Sequence, residues 1–168
     1  YYHCGDSTTN HLVLLHGSRF TKEDWKTSGI LDLFCSSSLT VTALDMSVRA
    51  SHDELLAVLD DLQRAGTIQL PIAGLVTPSA SGKAVIDGVT SANVARLTAA
   101  IQRWIPVACN SLNSLSNKSV IFATLKSWPI LAVYGDQDGP GKLSSQFLQH
   151  TAGATLKELP GRHPCYLD

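Results

Sequence analysis

Two short segments carry side chains that together could run acyl-transfer chemistry. One is Tyr134-Gly135-Asp136-Gln137-Asp138 and the other is Gly161-Arg162-His163-Pro164-Cys165-Tyr166-Leu167-Asp168. A histidine in a turn after a late strand can take the proton of a hydroxyl. A carboxylate bonded to its other ring nitrogen fixes the tautomer and stabilises the imidazolium. The third member would be a serine on a sharp turn earlier in the chain, because a serine hydroxyl becomes a nucleophile at neutral pH only beside a base. Thr77-Pro78-Ser79-Ala80-Ser81-Gly82 supplies one.

Ser79 follows an apolar stretch, 71–76, and precedes a segment of helical character. That is the setting of a nucleophile elbow, where strand and helix approach so closely that the residues two before and two after the serine must be small. Ser81 meets the requirement and Gly82 helps, whereas Thr77 is larger than the usual glycine. Ser81 is a rival nucleophile; Ser79 is preferred because small residues flank it at the right offset. Asp136 and Asp138 compete as the acid, and Asp138 is preferred because it lies further beyond the strand, toward the arriving His163. The oxyanion needs backbone N–H donors, assigned here to Ala80, next to the nucleophile, and to Ser18 in the turn His16-Gly17-Ser18. Gly17 lets that backbone turn and His16 supports it. One such donor contributes roughly 3–4 kcal/mol of transition-state stabilisation. The scheme needs no metal.

These residues must be held by elements that bring their turns to one place. Apolar runs at 12–15, 40–44, 72–76, 105–108, 130–134 and 154–159 read as strands buried on both faces. Between them, 51–64 reads as a helix, with Ser51 and Glu54 as a capping box and Leu55, Leu59 and Leu62 on an apolar face. Further helices are expected after Gly82 and over 142–150. Strands alternating with helices imply an α/β fold, a mainly parallel sheet with helices on both faces, in one domain covering 1–168. Ligands of such sheets bind beyond the carboxyl ends of the strands. The four turns named above all fall there, and the order Ser, Asp, His is that of α/β-hydrolases.

Composition narrows the alternatives. The chain has 168 residues with a formal net charge of −1, which gives no general attraction for nucleic acid or an anionic membrane surface. No apolar run is long enough to span a bilayer. Cys4, Cys35, Cys109 and Cys165 are scattered without metal-type spacing, and are expected to be reduced, which points to the cytosol. The sequon Asn117-Lys118-Ser119 is short enough to arise by chance. Ser81-Gly82-Lys83-Ala84 has the end of a phosphate loop, but such a loop needs glycine at 77 and serine or threonine at 84. Each element also has an ordinary explanation: Gly-Asp-x-Asp is a common turn, His16 a packing residue, Cys165 a small buried hydrophobe. A flavodoxin-like binding domain would leave the late histidine segment unexplained.

Longer motifs carry a resemblance. Leu14-Leu15-His16-Gly17-Ser18-Arg19-Phe20, with Trp25 following, resembles the oxyanion turn of the alpha/beta hydrolase domain-containing protein 14 family. The segments around Ser79, Asp138 and His163-Pro164-Cys165-Tyr166-Leu167-Asp168 resemble its elbow, acid and histidine segments, and Trp104-Ile105-Pro106-Val107-Ala108 resembles one of its strands. The B-type paralogue looks closer than the A-type. The resemblance implies an α/β-hydrolase fold without a large lid domain, esterase activity on short acyl esters, and removal of acetyl groups from protein lysines with coenzyme A as acceptor. It also implies a transcription-factor partner, and a cytoplasmic and nuclear location without the A-type's membrane anchor. Its nucleophile, acid and base fall on Ser79, Asp138 and His163. Against the family pattern, the chain is expected to lack strands before Leu12 and a helix after Asp168. It also lacks a Pro-Gly-x-Gly tract after Asp45, and carries Thr77 where the family has serine. The altered elbow and shortened ends would suit a rival reading, a catalytically silent module that binds a protein partner.

Overall fold

The computed structural model describes residues 1–6, 10–91, 93–114 and 125–167; the sequon Asn117-Lys118-Ser119 and Asp168 lie outside them. The strands are β1 (Tyr2–Cys4), β2 (His11–Leu14), β3 (Thr40–Ala43), β4 (Gly74–Pro78), β5 (Trp104–Val107), β6 (Leu131–Gly135) and β7 (Thr155–Leu159). They form one sheet in the order β1-β3-β2-β4-β5-β6-β7. All neighbours are parallel except β1, which pairs antiparallel with β3, Tyr2 opposite Ala43. The chain therefore does carry a strand before Leu12, contrary to expectation. At three residues and without apolar alternation, β1 has no signal of its own; its pairing with β3 defines it.

The six parallel strands coincide with the apolar runs to within two residues. The central strands read clearly because both of their faces are covered, as in β4 and β5, which are almost wholly buried, whereas the edge strand β7 carries exposed Lys157 and Glu158. Val13 and Leu15 point into one core and Leu14 into the other. The first core receives α3 (His52–Arg64), α4 (Lys83–Val89), α5 (Val94–Ala100) and part of α6 (Gly139–Ala152). In α3, Ser51 and Glu54 form the expected capping box, and Leu55, Leu56, Leu59 and Leu62 are buried. The second core receives Trp25 of α1 (Lys22–Thr27) and Leu31 of α2 (Ile30–Cys35). These two six-residue helices are too short to show a periodicity in the sequence. Among the described residues, no helix is long and apolar enough to cross a membrane.

The cysteine expectation needs correction. Cys4 of β1 and Cys35 at the end of α2 form a disulfide, with Cα atoms 5.6 Å apart, while Cys109 and Cys165 are free and buried. Sequence spacing could not reveal the pair, because it is made by β1 docking beside β3 and α2 packing underneath. The inference from four reduced thiols to the cytosol therefore lapses.

The chain runs from β2 to β3 on one side, then crosses back to place β4 on the other side of β2. The carboxyl ends of β2 and β4 thus flank a topological switch point, where the connections leave in opposite directions and open a crevice. The His16 turn follows β2 and Ser79 follows β4, which places both at this crevice.

Candidate active site

Ser79 is the first residue after β4 and sits at φ 52, in the left-handed region that a residue with a side chain seldom adopts. The chain turns there into a single 3-10 turn, Ser79–Gly82, that leads into α4. The close approach expected of an elbow is present. A Cβ added to Gly82 would lie 2.3 Å from the Cys109 sulfur and 3.5 Å from Thr77 Oγ1. Thr77 fits all the same. It is fully buried and its hydroxyl accepts a hydrogen bond of 2.8 Å from Trp104 Nε1, so the larger side chain serves to satisfy the indole of β5.

The rival serine has another job. Ser81 is buried and donates its hydroxyl proton to the Pro78 carbonyl at 2.8 Å, closing the 3-10 turn. Ser79, half-buried, places its Oγ 2.9 Å from His163 Nε2. His163 Nδ1 lies 2.8 Å from Asp138 Oδ2. The imidazole side chain is 32% exposed and the carboxylate 3%. A partly exposed imidazole is thus held by a buried carboxylate.

Asp138 follows β6 and caps α6, its Oδ1 accepting from the Gly141 N–H at 3.0 Å. Gly141 must be glycine here, since a Cβ would lie 2.3 Å from Asp138 Oδ2. The competing acid, Asp136, accepts instead from the Gly161 N–H at 2.9 Å, while the Gln137 N–H donates to the Gly161 carbonyl at 3.0 Å. Asp136 therefore shapes the loop that delivers His163.

At the end of β2, the Met46 N–H donates to His16 Nε2 at 3.3 Å. Nε2 is then the acceptor, Nδ1 carries the proton, and it donates to the Gly17 carbonyl at 2.9 Å. His16 thus clamps the turn to the segment after β3. Gly17 lies beside Ser79: an added Cβ would be 3.8 Å from Ser79 Cβ and 3.1 Å from the Phe20 ring. The Ser18 N–H has no acceptor among the described residues. The Ala80 N–H is in the first turn of the 3-10 helix, where N–H groups lack an intrahelical acceptor.

Trp25 and Tyr166 acquire a place that residue type alone did not suggest. The indole Nε1–H donates to the Leu15 carbonyl at 2.8 Å, and the ring stacks on Tyr166 with centroids 4.4 Å apart. Burial pushes the Tyr166 hydroxyl well above the ordinary tyrosine value. The cysteines near the site are not reactive candidates. Burial pushes the Cys109 thiol up to about 12, and Cys165 is packed in the second core. Among the described residues, no cluster of histidine, cysteine and carboxylate side chains could hold a metal ion.

A mainly parallel sheet wrapped by helices, with a serine elbow after one strand and an acid and a histidine after two later ones, defines the α/β-hydrolase fold. Solved structures of that fold superpose on it. A CIB-like hydrolase of Thermoplasma acidophilum matches with a TM-score of 0.68 at 19% identity, over 96% of this chain and 81% of that one. Carboxylesterase CesB of Bacillus subtilis matches with 0.67 at 14%, over 98% and 81%. In sequence, the "Putative protein-lysine deacylase ABHD14B" of Rattus norvegicus is 26% identical over 180 residues, spanning 98% of this chain and 79% of that protein. The Homo sapiens protein of the same name is 27% identical over 175 residues, 94% and 76%. Protein ABHD14A of Danio rerio is 28% identical over 166 residues, 94% and 58%. No family profile matches the chain. In sequence, then, the chain is similar to the ABHD14 proteins over nearly its whole length. The expected preference for the B type is not supported, because the A-type relative is as similar as the B-type ones.

Proposed function

We propose that this chain is a serine hydrolase that transfers short acyl groups, with Ser79 as nucleophile, His163 as general base and acid, and Asp138 as the group that orients His163. The observation that carries the reading is the continuous line of contacts Ser79 Oγ, His163 Nε2, His163 Nδ1 and Asp138 Oδ2, at 2.9 and 2.8 Å, ending on a buried carboxylate. Ser79 Oγ attacks the acyl carbon while its proton passes to His163 Nε2. The oxyanion that forms is bound by the N–H groups of Ser18 and Ala80. As the bond from acyl carbon to oxygen or nitrogen breaks, His163 returns the proton to the departing alcohol or amine, and the acyl group stays on Ser79. Water or a thiol then attacks that ester, His163 takes its proton, and Ser79 is released with the proton restored.

The names of the ABHD14B relatives support acyl-lysine as a substrate, and carboxylesterases among the structural neighbours support simple esters. A thiol such as coenzyme A would serve as acceptor in place of water, with acyl-coenzyme A as the product. The satisfied Thr77 hydroxyl favours an active elbow over a catalytically silent module. The test is labelling by a fluorophosphonate probe. The wild type and Ser81→Ala should label and Ser79→Ala should not. Absence of labelling in the folded wild type refutes the reading, and labelling that persists in Ser79→Ala but vanishes in Ser81→Ala moves the nucleophile.

A further inference from the structure

The turn that carries the Ser18 N–H and the turn that carries His163 lie far apart in the chain and meet at one indole. Trp25, only 3% exposed, bonds through Nε1 to the carbonyl of Leu15, one residue before the His16-Gly17-Ser18 turn. The face of the same ring stacks on Tyr166, three residues after His163, at an interplanar angle of 23°. Cys165 beside it is buried in the same core as Trp25. The Tyr166 hydroxyl is buried and comes near the Gly17 backbone N–H without a hydrogen bond of ordinary geometry. The ring stack is the contact of defined geometry at this position.

Trp25 is in turn held from the surface. Its helix is capped by Thr21 and Asp24, its Lys22 pairs with Asp45 at 2.5 Å, and its Glu23 accepts from the Tyr2 hydroxyl at 2.6 Å. The histidine turn is tied at its start, where Asp136 and Gln137 bond the backbone of Gly161. At its end, the stack joins the same turn to α1.

We infer that Trp25 and Tyr166 are positioning residues for the acyl-transfer reaction proposed above. Trp25 sets the turn that carries the Ser18 N–H, and the Trp25–Tyr166 stack sets His163 against Ser79 and Asp138. A shift of the base by an ångström costs on the order of 100-fold in rate, so loss of the stack should lower kcat with little change in KM, as expected for an interaction that matters in the transition state.

The test compares Tyr166→Leu, Tyr166→Phe and Trp25→Phe in turnover of p-nitrophenyl acetate. The low-field proton resonance of the His163 Nδ1–H bonded to Asp138 is recorded alongside, and thermal melting checks that each variant is folded. Tyr166→Leu should lose roughly 10- to 100-fold in kcat and broaden or lose the resonance. Tyr166→Phe should restore both, since it keeps the ring that stacks on Trp25, and the resonance separates a displaced His163 from a packing defect that leaves it in place. Trp25→Phe should keep the resonance and lower kcat through the unheld Leu15 carbonyl. A folded Tyr166→Leu with the wild-type resonance and kcat overturns the inference, as does a Tyr166→Phe as impaired as Tyr166→Leu. A wild type that does not turn over ester refutes the hydrolase reading instead, and the resonance then still decides whether the stack places His163.

Discussion

Replacing Asp138 by asparagine tests the proposed site at the point where the geometry is most constraining. One carboxylate oxygen accepts from the Gly141 N–H at 3.0 Å and the other faces His163 Nδ1 at 2.8 Å, in a side chain 3% exposed. An asparagine must turn its carbonyl oxygen toward Gly141. The opposite flip sets two donors against each other without water and costs roughly 1–3 kcal/mol. Its NH2 group then donates to His163 Nδ1, which forces the imidazole proton onto Nε2. In that tautomer His163 offers Ser79 a proton where it should accept one. A wrong tautomer in an otherwise intact triad lowers kcat about 10⁴-fold, or about 5.5 kcal/mol at about 1.4 kcal/mol per decade. Asp136→Asn is the control, because its carbonyl can still accept from Gly161 N–H. Ester turnover and fluorophosphonate labelling should collapse in Asp138→Asn, with its melting temperature retained, and stay near wild type in Asp136→Asn. Equal losses in the two variants, or turnover above a tenth of wild type in Asp138→Asn, would refute the assignment of the acid.

Other expected outcomes follow from particular contacts. Breaking the Cys4–Cys35 bond, by Cys4→Ser with Cys35→Ser, releases a loop of sequence separation 31; chain entropy then costs about 3.7 kcal/mol. Guanidinium unfolding should show that loss, and melting should fall by roughly 7–15 °C; an unchanged midpoint contradicts it. Gly82→Ala pushes a methyl against the Cys109 sulfur, 2.3 Å away, at a cost of about 1–3 kcal/mol. In a Cys109→Ala background the nearest remaining atom is at 3.5 Å, so most of that cost should disappear in denaturant titrations, and no rescue would mean the elbow is strained for another reason. Burial, with a smaller contribution from His3, pushes His11 down to about 4 from 6.5. The unfolded chain therefore binds the proton first. The stability from neutral His11 is complete above pH 6.5 and is lost as pH falls toward 4, by about 2–3 kcal/mol between pH 7 and 4.5. Urea titrations across that range should flatten in His11→Gln, and an unaltered slope rules His11 out as the source.

Much of the architecture was legible because it is written in local patterns. A strand covered on both faces is an almost unbroken apolar run, which is why residues 130–134 could be placed without a partner in view. Helix α3 announced itself through Ser51, Glu54 and the leucines at helical spacing. Helices α1 and α2, at six residues each, are too short for periodicity, and β1 is defined only by its pairing. The preferences for Ser79 over Ser81 and Asp138 over Asp136 rested on offsets within two turns. The structure gives each rival a bond of its own: Ser81 to Pro78, and Asp136 to Gly161. The cysteine reading failed because Cys4 and Cys35 meet only after β1 and α2 have docked.

The residue sequence alone determined the kind of chemistry this chain can attempt. A serine, an acid and a histidine in turns that follow buried strands, in that order, must reach one edge of a parallel sheet, since right-handed crossovers return each strand to the same direction. Only the tertiary structure decided which oxygen faces which nitrogen, that Thr77 is needed by Trp104, and that Trp25 and Tyr166 join the first turn to the last. Those contacts bridge separations of 25 residues and more and leave no periodic trace in the chain. They come from the packing of whole elements, where a few tenths of an ångström separate a hydrogen bond from a clash.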